Sequence, residues 1–171
     1  MPDILSFLLA MLFPVIMAWA AASDLLTMRI SNRLVLLLVA AFVLVALVLQ
    51  LPWDQLGLHL AAGGLALAIG FTLFAFGWIG GGDAKFAAAT ALWIGWGMGG
   101  LQYVVYAGLL GGGLTLLILA FRNLPLMPVM AGHAWLERLH DRKSGVPYGI
   151  ALAIAGMLVY ASSTIFERLV A

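Results

Sequence analysis

The chain has 171 residues, 65% of them hydrophobic and only 9% charged, with a formal charge of +1 and a mean hydropathy of +1.14. Soluble domains are about half apolar and a quarter charged, so a water-soluble globule, a disordered chain, collagen and a coiled coil are all excluded, which leaves an integral membrane protein. Near-zero charge supplies no basic field for nucleic acid, and the absence of cysteine removes disulfides, thiolate metal sites and a Cys nucleophile together.

Crossing a hydrocarbon core of about 30 Å takes roughly 20 apolar residues. The first uncharged run is Ile4 to Ala22. Ala18, Trp19 and Ala20 imitate a signal-cleavage pattern, but Asp3 stands where a positive n-region belongs, and the run is too long for an h-region. It is read as a permanent helix. Leu34 to Leu51 follows, closed by Pro52, Trp53 and Asp54, and then Leu56 to Ile79, which carries only His59. The run from Phe86 to Phe121 is too long for one crossing and is divided at the cluster Gly97, Met98, Gly99, Gly100. Arg122 to Val146 is the one long hydrophilic loop. Within it Trp135, Leu136 and Leu139 share an arc about 100° wide, opposite His133, Glu137, His140 and Asp141. This predicts a short interfacial helix over 130–142, with a solvated connecting loop as the competing reading. Gly149 to Phe166 closes the set. The expected fold is all-α, a single polytopic domain over residues 1–171 with about six transmembrane helices.

Charge orients it. With the N-terminus outside, Arg29, Arg33, Lys85, Arg122, Arg138, Arg142 and Lys143 fall in cytoplasmic loops, and only Arg168 falls on the other side. Basic residues concentrate on the cytoplasmic side of membrane proteins, so the loops at 23–33, 80–85 and 122–146 are expected there.

Of the seven acidic residues, Asp3, Asp54 and Glu167 lie at outer helix ends, and Glu137 and Asp141 lie in the polar loop. Asp24 directly follows the first apolar run, and Asp83 closes the third inside GGGDAK, 59 positions later. Both fall on the same face, where ionisable groups mark a pathway or a reacting site. Two close carboxylates cannot both ionise easily. One can draw a proton from water while the other donates to a peptide carbonyl and the leaving amine, which is aspartic-protease chemistry without metal or cofactor. Gly80, Gly81 and Gly82 allow positive φ and leave Asp83 free of neighbouring side chains. A flexible turn is their bland reading, as helix-end pairing with Arg29 or Lys85 is for the two aspartates. His59, His133 and His140 make no recognisable metal set with the acids. The pairs Gly95 with Gly99 and Gly108 with Gly112 fit close helix packing.

These residues resemble the type IV prepilin peptidases, membrane aspartic proteases of the GxGD class. Gly80, Gly81, Gly82 and Asp83 match GxGD, followed by Lys85; DLLTMRISN is similar to the other catalytic segment, with Asp24 at its aspartate and Ile30 and Asn32 at its end. Ser31 stands where the family usually has proline. Val146, Pro147, Tyr148 and Gly149 resemble the segment opening the last helix. The resemblance implies Asp24 and Asp83 as the catalytic pair. Gly80, Gly81, Gly82, Lys85, Asn32, Pro147 and Tyr148 would bind substrate or shape the site. The size resembles the short branch serving tight-adherence (Flp) pili. It lacks the four-cysteine domain of longer members, which implies neither zinc nor methyltransferase activity. The implied partners are a prepilin or pseudopilin with a short basic leader and a hydrophobic helix, the lipid bilayer and the pilus assembly machinery, in the bacterial inner membrane. A small proton- or cation-coupled carrier, which favours charges near the bilayer midplane, and an inactive assembly subunit are the competing functions.

Overall fold

A computed structural model of the chain describes residues 4–125 and 132–171. Among these residues every regular element is helical: α1 (Ile4–Thr27), α2 (Asn32–Val48), α3 (Trp53–Ala75), α4 (Gly81–Ile94), α5 (Met98–Arg122), α6 (Ala134–His140), α7 (Tyr148–Tyr160) and α8 (Thr164–Val170). Each apolar run of the sequence forms a helix, the conformation that satisfies every backbone N–H and C=O without water. By length and composition α1, α3 and α5 are suited to cross a membrane, as are α7 and α8 together if that pair, bent by 52°, counts as one span. The chain is a multi-pass membrane protein.

Local chemistry sets the helix ends. Ser31 precedes α2 as its N-cap, its Oγ accepting the Leu34 N–H at 3.2 Å, so the residue standing in for proline secures the start of α2. Pro52 leads into α3 with a fixed φ of −58°. The break in the long fourth run falls slightly earlier than its composition suggests. Gly95 and Gly97, with φ of +82° and +134°, make the turn, while Met98, Gly99 and Gly100 already belong to α5. Positive φ, not glycine density, decides where a helix stops.

The two shortest of the apolar helices, α4 and α7, lie innermost. α4 packs on α2, α3, α5, α7 and α8, and α7 on α1, α4 and α5. α3 lies closely along α4 because a Cβ on Gly63 would come within 3.1 Å of Leu92, and one on Gly70 within 3.0 Å of Ala84. The expected packing role for Gly108 and Gly112 is not found, since both face open space; the close approach is at Gly111. The aromatic core gathers around Trp93, fully buried against Phe13 (ring centroids 5.2 Å apart), Phe42 and Tyr160 (6.0 Å each), with its Nε1 donating to the Leu38 carbonyl at 2.9 Å. Buried His59 bonds through Nδ1 to the Leu92 carbonyl at 2.8 Å, which makes it part of the α3–α4 contact.

In the 122–146 loop a helix does form, with Leu139 buried and Glu137 exposed. The helix packs against α5 and α1. The expected start of this helix at residues 130 and 131 lies outside the described residues.

Candidate active site

Three chain segments converge at one end of the bundle: the last turn of α1 with the α1–α2 turn, the start of α4, and the start of α7. Ile30, itself buried, sits between the two helix starts. A Cβ on Gly82 of α4 would lie 3.4 Å from the Ile30 carbonyl oxygen, and one on Gly149 of α7 would lie 2.6 Å from Ile30 Cδ1. Glycine at 149 is what lets α7 close onto Ile30 and Asp24, whereas at Gly82 a Cβ would make ordinary contact.

Asp24 occupies the last turn of α1 and is only 4% exposed. Its Oδ2 accepts the Gly149 backbone N–H at 2.7 Å. Gly149 is the second residue of α7, so the donor is one of the orphan N–H groups of a helix start, and the positive end of that helix faces the carboxylate. The turn after Asp24 is tight: the Met28 N–H donates to the Asp24 carbonyl at 2.7 Å, with Met28 at a φ of +52°. The Thr27 hydroxyl donates to the Ser23 carbonyl at 2.7 Å.

Asp83 is the third residue of α4, just after the N-cap Gly80. Its carboxylate folds back over that cap, so a Cβ on Gly80 would lie 2.8 Å from Asp83 Oδ2. Burial, and then the negative charge of Asp24, push Asp83 up from 3.8 to about 6, partly opposed by a hydrogen bond from the Gly80 backbone. The two carboxylates are thus close enough for the charge of one to hold the proton on the other.

The glycines act differently from expectation. Gly80 has an ordinary φ of −71°, and positive φ near this turn belongs to Gly77, at +74°. What Gly80 and Gly81 supply is the missing side chain: Gly81 lies against the Phe74 ring, as Gly80 lies under Asp83, while at Gly82 a Cβ would make ordinary contact with Ile30. Lys85 and Asn32 come together, Lys85 Nζ donating to Asn32 Oδ1 at 3.1 Å, and tie the first turn of α4 to that of α2. Pro147 is buried as the N-cap of α7. Tyr148 lies so closely over Gly111 of α5 that no Cβ fits there.

Sequence reasoning passed over two further residues that build this site. Gly149 acts through its main chain, and the only signal for it was its place in VPYG. Arg122, read as a topological anchor, is 8% exposed and donates to the carbonyls of Leu139 (2.7 Å), Ser144 (3.0 Å) and Gly145 (2.8 Å), holding the segment that runs into Pro147 and Gly149. Beside the site, Thr27, Met28, Arg29, Arg138, Ser144 and Gly145 line an open cavity of about 530 Å³.

The family model described as the type IV leader peptidase family matches residues 11–121. The matched stretch contains Asp24, Asn32, the GGGD segment and Lys85, and stops before the 122–146 loop and α7. Neither a curated protein nor a solved structure matches the chain.

Proposed function

Because the chain belongs to the type IV leader peptidase family, and so is a membrane peptidase, we propose that it removes the short basic leader from type IV or Flp prepilins or pseudopilins. Asp24 and Asp83 are the catalytic pair of this reading. The observation that carries it is their convergence, with Asp24 held by the Gly149 N–H and Asp83 pushed up to about 6 beside it.

Each carboxylate accepts a backbone N–H, Asp24 from Gly149 and Asp83 from Gly80; this reading gives the ionised role to Asp24, whose charge favours a proton on Asp83. Asp24 then takes a proton from a water molecule as the water oxygen bonds to the scissile carbonyl carbon, while Asp83 gives its proton to the carbonyl oxygen. Collapse of the gem-diol intermediate breaks the C–N bond: the proton on Asp24 passes to the leaving amine, and Asp83 takes a proton back from one of the two hydroxyls as the carboxyl group forms, which restores the pair. Lys85 and Asn32, bonded to each other, and the side-chain-free edge of Gly80, Gly81 and Gly82 border the place where an extended substrate would lie. Six spans, an outside N-terminus and cleavage at the cytoplasmic face of the bacterial inner membrane complete the proposal, supported by the distribution of basic residues.

Co-expression with a prepilin from the same genome tests it, read as loss of the leader on a gel. Wild type is expected to cleave, while Asp24→Asn and Asp83→Asn, present in the membrane at equal levels, lose at least about 100-fold in rate, the usual contribution of one acid–base group. Cleavage that survives either substitution removes that aspartate from the mechanism.

A further inference from the structure

A second polar constellation lies at the end of α5, around the outer side of the Arg122 contacts. Arg122, the last residue of that helix, spends Nε and Nη2 on three carbonyl oxygens, which leaves its Nη1 group. All three acceptors are neutral. The acidic residues of the same loop are engaged elsewhere, Glu137 with the Gly132 N–H at 2.9 Å and Asp141 with the Lys143 N–H at 2.9 Å. Arg142 is held nearby, its Nη2 donating to Asn123 Oδ1 at 2.8 Å. Leu119, Arg122, Asn123 and Arg142 line a cavity of about 320 Å³.

Among the described residues the Arg122 guanidinium meets neutral acceptors and no carboxylate; a buried cation without a counter-charge is a costly state that a bound anion relieves. Guanidinium groups match phosphate oxygens in geometry, and their charge-assisted bonds are strong. Leu116 and Leu119, one turn apart on α5 and both exposed, lead from this cavity along the apolar length of the helix. Phosphate recognition at the helix end and an apolar track beneath it are the two parts of a phospholipid.

We propose that this cavity binds the phosphate of an acidic phospholipid, with Arg122 and Arg142 on the phosphate oxygens and an acyl chain along Leu116 and Leu119. A zwitterionic headgroup would bring its own ammonium group against the two guanidiniums, so the site discriminates by net headgroup charge.

Protein stripped of lipid in dodecyl maltoside is titrated with phosphatidylglycerol, phosphatidylcholine or inorganic phosphate, and read by native mass spectrometry and by thermal melting. Phosphatidylglycerol is expected to bind about tenfold more tightly than phosphatidylcholine, the effect of one added charge-assisted contact. Arg142→Glu abolishes that preference and Arg142→Lys keeps part of it. Should Arg142→Glu fail to fold, Arg142→Gln takes its place. Equal binding of the two lipids by wild type, or a preference that persists in the variant, overturns the proposal. Inorganic phosphate reproducing the whole stabilisation also overturns it, and marks a site for a soluble anion.

Discussion

Asp83 titrates where the chemistry needs a proton. Its folded pKa of about 6 lies above the 3.8 of a free aspartate, so between these values the folded chain keeps a proton that the unfolded chain has released. The stability this proton contributes is present in acid and is lost as pH rises through about 6. The same proton is the one Asp83 donates. Cleavage is therefore expected to follow a bell-shaped profile whose alkaline limb begins near 6, with the acid limb set by protonation of Asp24. Leader removal in detergent across the pH range checks this, and a rate undiminished up to about pH 9 would remove Asp83 as the proton donor. The two limbs describe the pair as a unit. Asp83→Asn, which abolishes the ionisation, is expected to melt higher than wild type above neutral pH although it is inactive, by up to about 3 kcal/mol for a shift of this size.

At the level of elements, the site is a meeting of helix ends, and its tolerances are backbone tolerances. A methyl on Gly149 would stand 2.8 Å from Asp24 Oδ2 and 2.6 Å from Ile30 Cδ1, so α7 would have to withdraw from α1. Gly149→Ala is expected to reduce cleavage by about 100-fold, the effect of a 1 Å misplacement of catalytic groups. Gly112→Ala, which meets nothing within 4 Å, should leave cleavage unchanged; an active Gly149→Ala enzyme would show that the close approach of α7 to Asp24 and Ile30 is not required. This is also where sequence reading stops. The apolar runs announce α1 to α5 and α7 because lipid demands long uncharged stretches, and the carboxylates of Asp24 and Asp83 stand out because acids are scarce. A main-chain donor such as Gly149, however, leaves no side chain to notice. Glycine spacing misled at Gly108 and Gly112, since the contact that matters, Tyr148 over Gly111, joins residues 37 positions apart. Arg122 had the charge of a topological anchor, and only its burial reveals the three carbonyls that it gathers.

For the molecule as a whole, the absence of native cysteine gives topology a clean readout. Single reporters Asp141→Cys and Asp54→Cys lie on opposite sides in the orientation proposed. A membrane-impermeant thiol reagent should label Asp54→Cys in intact cells, and Asp141→Cys only after the membrane is opened; the reverse pattern would invert the molecule and place the aspartates outside. The inner helices have a further effect on that membrane. At 1.5 Å per residue, α4 with 14 residues and α7 with 13 each rise only about 20 Å, roughly 10 Å less than the hydrocarbon thickness. Lipid cannot fill the shortfall inside a ring of longer helices. In the six-span orientation proposed above, with α7 taken apart from α8, the polar ends of α4 and α7, carrying Asp83 and the Asp24–Gly149 contact, are therefore expected to open onto a wetted depression set below the bilayer surface. Hydrolysis consumes one water molecule for every bond cut, and such a depression would bring the solvent down to the depth at which the proposed membrane-embedded substrate begins.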